Sequence, residues 1–241
     1  MFDLHTKLAQ DIWSAQWTNS APVTFDDPLV RYKFSHLLQP YLAKLPAGSS
    51  VCELGCGNGQ WLILSRDIYP NLRYSGIDIC PVSKKLCESN NIHYSQLDLS
   101  LPITHNCSFD LVFSWGLIEH FPIPQIPLLH HLALSNKYIV LDVPNLLSLA
   151  TLPLTLRKIR GSYSRISDWQ THGRRYTSLQ LKSMVSDLLT WYPEWNIDKL
   201  SANYTILPHL HPCLERLDHI LPNTLRSLVG HNISISLSKM S

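Results

Sequence analysis

The pattern of apolar and polar positions divides the chain near residue 49. Before that point apolar residues recur at helical spacing: an amphipathic opening with Trp13 and Trp17, a Pro/Asp break around 22 to 28, then DPLVRYKFSHLLQPYLAKLPAG. After it, the apolar runs SVCEL, LRYSGIDI, IHYSQLDL, FDLVFSWG and KYIVLDV alternate with the helical stretches GQWLILSRDIYP, PVSKKLCESN and IPQIPLLHHLALS. Short strands separated by helices predict βαβ units and a parallel sheet covered on both faces. The rhythm lapses after Val143, resumes in the helix TSLQLKSMVSDLLTWY, which Thr177 or Ser178 can cap, and ends in two alternating runs, WNIDKLSANYTIL and HNISISLSKM. The expected organisation is an α/β doubly wound domain over 49–241 with an insert at 144–177, prefaced by helical residues 1–48.

The first strand ends at Glu53 and the chain turns through Gly55, Cys56, Gly57 and Gly59 into a helix, so backbone amides and a helix N-terminus are expected to face a ligand over the loop. The spacing is G-x-G-x-G. It lacks the third glycine of the dinucleotide fingerprint and the Lys-Ser/Thr pair of a phosphate loop, which disfavours pyrophosphate. Asp78 ends the second run, placed to accept both hydroxyls of a ribose, and Asp98 ends the third, where a carboxylate accepts an exocyclic adenine amine. Together the three strand ends outline an adenosine without a phosphate tail.

In their order and distances, ELGCGNG, GID, LDL and FDLVFSWGLIEHF resemble the motifs of class I S-adenosylmethionine-dependent methyltransferases over residues 49 to about 145. The resemblance implies a Rossmann-like seven-stranded sheet with helices on both faces and an antiparallel last strand, Asn232 to Lys239, in an edge hairpin. It implies that Glu53 and the Gly55–Gly59 loop hold the methionine part of S-adenosylmethionine, Asp78 the ribose, and Asp98 with the Leu99 amide the adenine. Ser114, Trp115 and Gly116 would line the sulfonium. Ile79 packs on the adenine face or belongs to the core. Glu53 has the alternative role of a strand-end carboxylate bonded to loop amides, and Asp110 is expected to begin a strand and brace the loop rather than touch ligand.

Composition narrows the class. A net charge of +2 on 241 residues gives no general pull toward nucleic acid. The start MFDLHTKLAQDIW carries Asp3, His5, Lys7 and Asp11 where a secretory signal needs an apolar core, so a soluble, cytoplasmic protein with reduced thiols is expected. The six cysteines form no CxxC pair, and the histidines lack the company a catalytic metal needs.

The cofactor motifs leave the acceptor open. SWGL stands where enzymes that methylate base amines carry N/D-P-P-Y/F, and Cys213 lies too far downstream to be a cytosine-directed nucleophile. VPN at 143–145 and THGRRYT at 171–177 resemble the small-molecule methyltransferases of the quinone-biosynthesis and methyltransferase-domain 11 and 12 type, in which an N-terminal helix and an insert close over the substrate. Residues 146–156 are almost wholly apolar, and six basic residues against Asp168 follow up to Arg175. Three readings stand: an apolar lid over a lipophilic or aromatic acceptor, a peripheral membrane contact through 146–165, or an ordinary buried helix with a basic turn. His120 is the first candidate for a general base and His172 the second, each with pocket-shaping as the alternative. Trp13 and Trp17 belong either to a closing lid or to the core. Two rival functions remain: methylation of a protein or RNA group docked on the basic insert, and a non-catalytic partner subunit that binds the cofactor.

Overall fold

The computed structural model describes residues 2–18, 20, 23–102, 107–148, 173–203 and 230–240. Helix α1 (Phe2–Thr18) precedes α2 (Pro28–Lys33), a π-helical turn (Phe34–Leu38) and α3 (Gln39–Leu42), which run on without a break. Asp27 caps this segment by accepting from the Leu29 amide at 2.8 Å, and Pro28 occupies the first turn, where its missing N–H costs nothing. Then follow β1 (Ser50–Leu54), α4 (Gln60–Ile68), β2 (Arg73–Asp78), α5 (Val82–Ser89), β3 (His93–Gln96), β4 (Phe109–Trp115), a 3-10 turn (Ile118–His120), α6 (Gln125–Leu134) and β5 (Ser135–Pro144). Helix α7 (Ser178–Leu189), β6 (Trp195–Asn203) and β7 (Asn232–Lys239) complete the described elements. Thr177 and Gln180 close a reciprocal capping box at the start of α7.

The strands form one sheet in the order β3-β2-β1-β4-β5-β7-β6. β1 to β5 are parallel, and β7 lies antiparallel between β5 and β6, so the hairpin foreseen at the edge ends in β6. Strand order reverses between β1 and β4, which opens a crevice at their carboxyl ends.

Period-two alternation divides the core. Leu111 and Phe113 of β4 pack with Phe34, Leu38 and Leu42 on one face, whereas Val112 joins Cys52, Leu54 and Leu134 on the other. Farther along, Ile139 and Leu141 of β5 meet Leu132, Leu181 and Val185. An ion pair ties the N-terminal helices to the sheet: Lys33 Nζ stands 2.6 Å from Asp142 Oδ2 at the end of β5. Asp110 braces the opposite end as expected, accepting from the Ser50 amide at 2.9 Å. The described cysteines are free thiols, and no helix among the described residues is long and apolar enough to cross a membrane.

One buried contact makes a pH-dependent prediction. His131 Nδ1 lies 2.7 Å from the Pro127 carbonyl, which only accepts, so Nδ1 carries the proton and Nε2 accepts from Ser114 Oγ at 2.9 Å. Burial lowers the pKa of His131 from 6.5 to about 4. Between those values the unfolded chain binds a proton that the native state does not, so stability is lost as pH falls through that window, by on the order of 3 kcal/mol in full. Urea unfolding of His131→Gln, which keeps hydrogen-bonding capacity but cannot titrate, should show a flatter acid limb than the parent. An unchanged limb would assign it to other groups.

Candidate functional site

The glycine loop sits at the crevice. Gly55, Gly57 and Gly59 have φ of 67°, 53° and 71°. Two neighbours explain why side chains are excluded: a β-carbon on Gly57 would stand 2.6 Å from the Trp17 indole, and one on Gly59 2.7 Å from Cys87 Sγ. The loop amides, expected to face a ligand, are turned inward. Gly55 N and Cys56 N donate to the Ile77 carbonyl at 2.7 and 3.2 Å, and Gly57 N donates to Asp78 Oδ2 at 2.8 Å. The tight turn therefore serves close packing against β2, α1 and α5 before it serves any ligand.

Asp78 also takes the Cys80 amide on Oδ1 at 2.8 Å. Burial raises its pKa, and the amides of Gly57, Cys80 and Ile79 pull it back. Each oxygen keeps an acceptor position for a further donor. Glu53 lies deeper, 2% exposed, with Oε2 lacking any hydrogen-bond partner, and burial, reinforced by Cys87 and Asp78, pushes its pKa well up.

Above these carboxylates is a cavity of about 520 Å³. That volume suits a small-molecule site. The cavity lining takes in Asp78, Ile79, Leu97, Asp98, Leu99 and Ser100 at and after the ends of β2 and β3, Trp115, Gly116, Leu117, His120, Phe121, Pro122, Ile123 and Ile126 at and after the end of β4, Gly55 of the glycine loop, and Thr6, Ala9, Trp13 and Trp17 of α1. Helix α1 is held there by specific contacts. Thr6 Oγ1 donates to Asp98 Oδ2 at 2.6 Å, Ser14 Oγ lies 3.3 Å from Cys80 Sγ, and the Trp13 ring meets His120 edge-on at 4.8 Å. The other Asp98 oxygen accepts from the Ser100 amide and hydroxyl at 2.9 and 2.6 Å.

Of the residues singled out in the sequence, the structure brings Gly55, Asp78, Ile79, Asp98, Leu99, Trp115, Gly116 and His120 onto one cavity wall. Glu53, Cys56, Gly57 and Gly59 stand behind it, while the Ser114 side chain turns away to His131. His172 and residues 149–165 of the insert lie outside the described residues. Sequence reasoning missed Thr6 and Ala9, although Thr6, Ala9, Trp13 and Trp17 follow each other at intervals of three, four and four, the stripe of a helix face. It also missed Phe121, Pro122, Ile123 and Ile126 as cavity residues, although it read a helix from Ile123 onward.

Comparison with known proteins agrees with this geometry. A family profile described as a methyltransferase domain matches residues 29–188. A tRNA (carboxymethyluridine(34)-5-O)-methyltransferase of Schizosaccharomyces pombe is 30% identical over 92 residues, 38% of this chain and 38% of that protein, so the match spans under two fifths of the curated relative's length. Among solved structures, magnesium protoporphyrin IX methyltransferase from Synechocystis PCC 6803 with bound S-adenosylhomocysteine (SAH) superposes with a TM-score of 0.57 at 16% identity, covering 97% of this chain and 99% of that one. The plantazolicin methyltransferase in complex with SAH gives 0.55 at 18% identity over 100% and 99%. At such identities the likeness is one of fold.

The Thr6–Asp98 bond is one of the contacts that hold α1 over the cavity. Thr6→Val should raise amide exchange in residues 8–16 about tenfold, the loss of a bond to a charged acceptor, and leave β1 and β4 protected. Unchanged exchange in α1 would mean that Trp13 and Trp17 hold it alone.

Proposed function

This chain belongs to the methyltransferase-domain family, and we propose that it takes a methyl group from S-adenosylmethionine and passes it to a small apolar or aromatic acceptor by direct displacement. The carrying observation is the composition of the cavity: apart from the carboxylates of Asp78 and Asp98, its walls are mostly apolar, among them Trp13, Trp115, Leu117, Phe121, Pro122, Ile123 and Ile126. Such a surface takes up an apolar body and gives little to a charged one.

The residues present fit the cofactor. In this reading Asp78 accepts from the ribose hydroxyls, oriented by the Gly57 and Cys80 amides. Asp98 and the Leu99 amide hold the adenine, with Ile79 on its face, and the orphaned Glu53 Oε2 offers an acceptor toward the methionine ammonium behind the Gly55–Gly59 loop. When bound, S-adenosylmethionine supplies an electrophilic methyl group on a sulfonium. The chain's own contribution is to hold the acceptor in line at about 3 Å and to exclude water, tasks that fall to Trp13, Trp115 and Phe121 and to the α1 roof. In this reading His120, which lines the cavity beside Trp13, takes the proton of a hydroxyl acceptor.

A second reading has its own support. The Schizosaccharomyces pombe relative is a tRNA methyltransferase, and residues 157–175 carry six basic side chains against one acidic. In that reading an RNA docks on the basic insert, and binding falls steeply with salt.

Calorimetric titration with S-adenosylmethionine, SAH and NAD tests the cofactor site. The first two should bind and NAD should not, and Asp78→Ala should weaken SAH by about tenfold or more. With a phenolic acceptor, His120→Ala should lower kcat about a hundredfold with SAH affinity unchanged. Equal losses in both would make His120 structural, and salt-sensitive RNA binding without transfer to small aromatics would favour the second reading.

A further inference from the structure

Two hydroxyls converge on the Asp98 carboxylate just beyond β3. Oδ1 accepts from the Ser100 amide at 2.9 Å and from the Ser100 hydroxyl at 2.6 Å, and Oδ2 accepts from Thr6 Oγ1 of α1 at 2.6 Å. Each hydroxyl spends its only proton on the carboxylate. A hydroxyl that has donated keeps its lone pairs, so Thr6 Oγ1 is left as an acceptor and nothing else. Thr6, Asp98 and Ser100 all line the cavity and none of the three is buried, so a ligand in the cavity reaches them.

The surroundings suit a flat ring. Ala9 lies one turn beyond Thr6 on the same face of α1, also in the lining, and its single methyl group lets a planar body come close to the helix. Ile79, Leu97 and Leu99 add apolar surface to the same lining. Apolar walls with a few fixed polar groups are what orient a heteroaromatic ligand. The polar groups here are of one kind: beside Asp98 Oδ2, which can accept once more, stands an oxygen whose proton is already committed.

We propose that Thr6, together with Asp98, reads the exocyclic amine of the cofactor's adenine, so that a residue of the N-terminal helix decides between an amino and a carbonyl group on the base. This deepens the S-adenosylmethionine reading above and rests on it. The amine of adenine donates and does not accept, because its lone pair is delocalised into the ring. It meets two acceptors, Thr6 Oγ1 and Asp98 Oδ2, 2.6 Å apart. A carbonyl in the same place sets lone pairs against lone pairs, and Thr6 cannot turn its proton toward it without giving up a charge-assisted bond. The carboxylate is thus what makes Thr6 selective: a free hydroxyl adapts to either group, whereas one bound to Asp98 only accepts. Because Thr6 belongs to α1, the base it recognises is fastened to the helix that also carries Trp13 and Trp17 over the cavity.

The test is calorimetry of SAH and S-inosylhomocysteine, which carries a carbonyl where adenine has its amine, against the full-length protein and its Thr6→Val and Thr6→Ser variants. The parent should prefer SAH by about a hundredfold, the worth of hydrogen bonds to a hydroxyl and to a charged acceptor together. Thr6→Val should cut that preference about tenfold, and Thr6→Ser, which keeps the hydroxyl, should retain it. The ratio of the two affinities cancels any loosening of α1, which acts on both ligands alike. In the parent protein, SAH at saturation should also slow amide exchange in residues 8–16 more than S-inosylhomocysteine does, a readout that needs no variant. No preference for SAH in the parent, an unchanged ratio in Thr6→Val, tighter SAH binding by that variant, or equal slowing of exchange by the two ligands would each overturn the assignment. Failure of the parent to bind SAH at all would instead strike the cofactor reading on which it rests.

Discussion

The ligand end of this molecule turns on one buried carboxylate. Asp78, at the end of β2, accepts from the amide of Gly57 in the glycine loop and from that of Cys80 at the start of the next turn. A buried anion is stable only when charge-assisted bonds replace water, and here the replacements are backbone groups of the two loops that frame the crevice. The position of the glycine loop follows from that bond. The flat surface at Gly57 then seats the Trp17 indole, and seating Trp17 lays α1 across the cavity with Thr6 over Asp98. The roof of the site is thus a consequence of how one strand end is neutralised.

The two ends of the sheet treat their carboxylates differently. At the start of β4, Asp110 accepts from Ser50 and pairs with Lys137, and those partners outweigh desolvation, so its pKa is lowered. At the carboxyl ends, Glu53, Asp78, Glu119 and Asp142 are all raised, each chiefly by burial. Raised carboxyl groups gathered on one side of a crevice mark the side where ligands supply what the protein withholds. Asp110 is satisfied by its partners, whereas Glu53, Glu119 and Asp142 each keep a buried oxygen without a hydrogen bond.

Much of this was legible in the residues because strand runs buried on both faces are unmistakable in one dimension. SVCEL, GID and FDLVFSW became β1, the end of β2 and β4 in the expected places. Motif spacing carried Asp78, Asp98, Trp115 and His120 to one cavity, because each stands at or just beyond a strand's carboxyl end and the topology collects those ends. The direction of the loop amides was misjudged, since glycines announce a close approach without saying what approaches; here it was an indole and a thiol. Ser114 was expected at the sulfonium on position alone, but its partner is His131, seventeen residues on, which no local pattern connects to it. The roof residues Thr6 and Ala9 were hidden for another reason. A helix stripe states that one face is covered without naming what covers it.

The two kinds of wall around the cavity also explain why motifs at the strand ends say so little about the rest of its lining. Gly55, Asp78 and Ile79 lie at strand ends and short turns, where geometry is set by the sheet and tolerates few side chains. Other walls come from α1, the turn at Ile118–His120 and the Phe121–Ile126 segment, which lie outside the strand ladders. Such walls can change composition without disturbing β1 or β2, so selectivity is free to vary there. The buried Lys33–Asp142 pair is the exception. It links the helical preface to β5 beside Trp115, so a change in this part of the wall must either keep that pair or leave a charge unpaired inside the protein. The Trp115 wall of the cavity is therefore anchored to the same contact that fastens the N-terminal helices to the sheet.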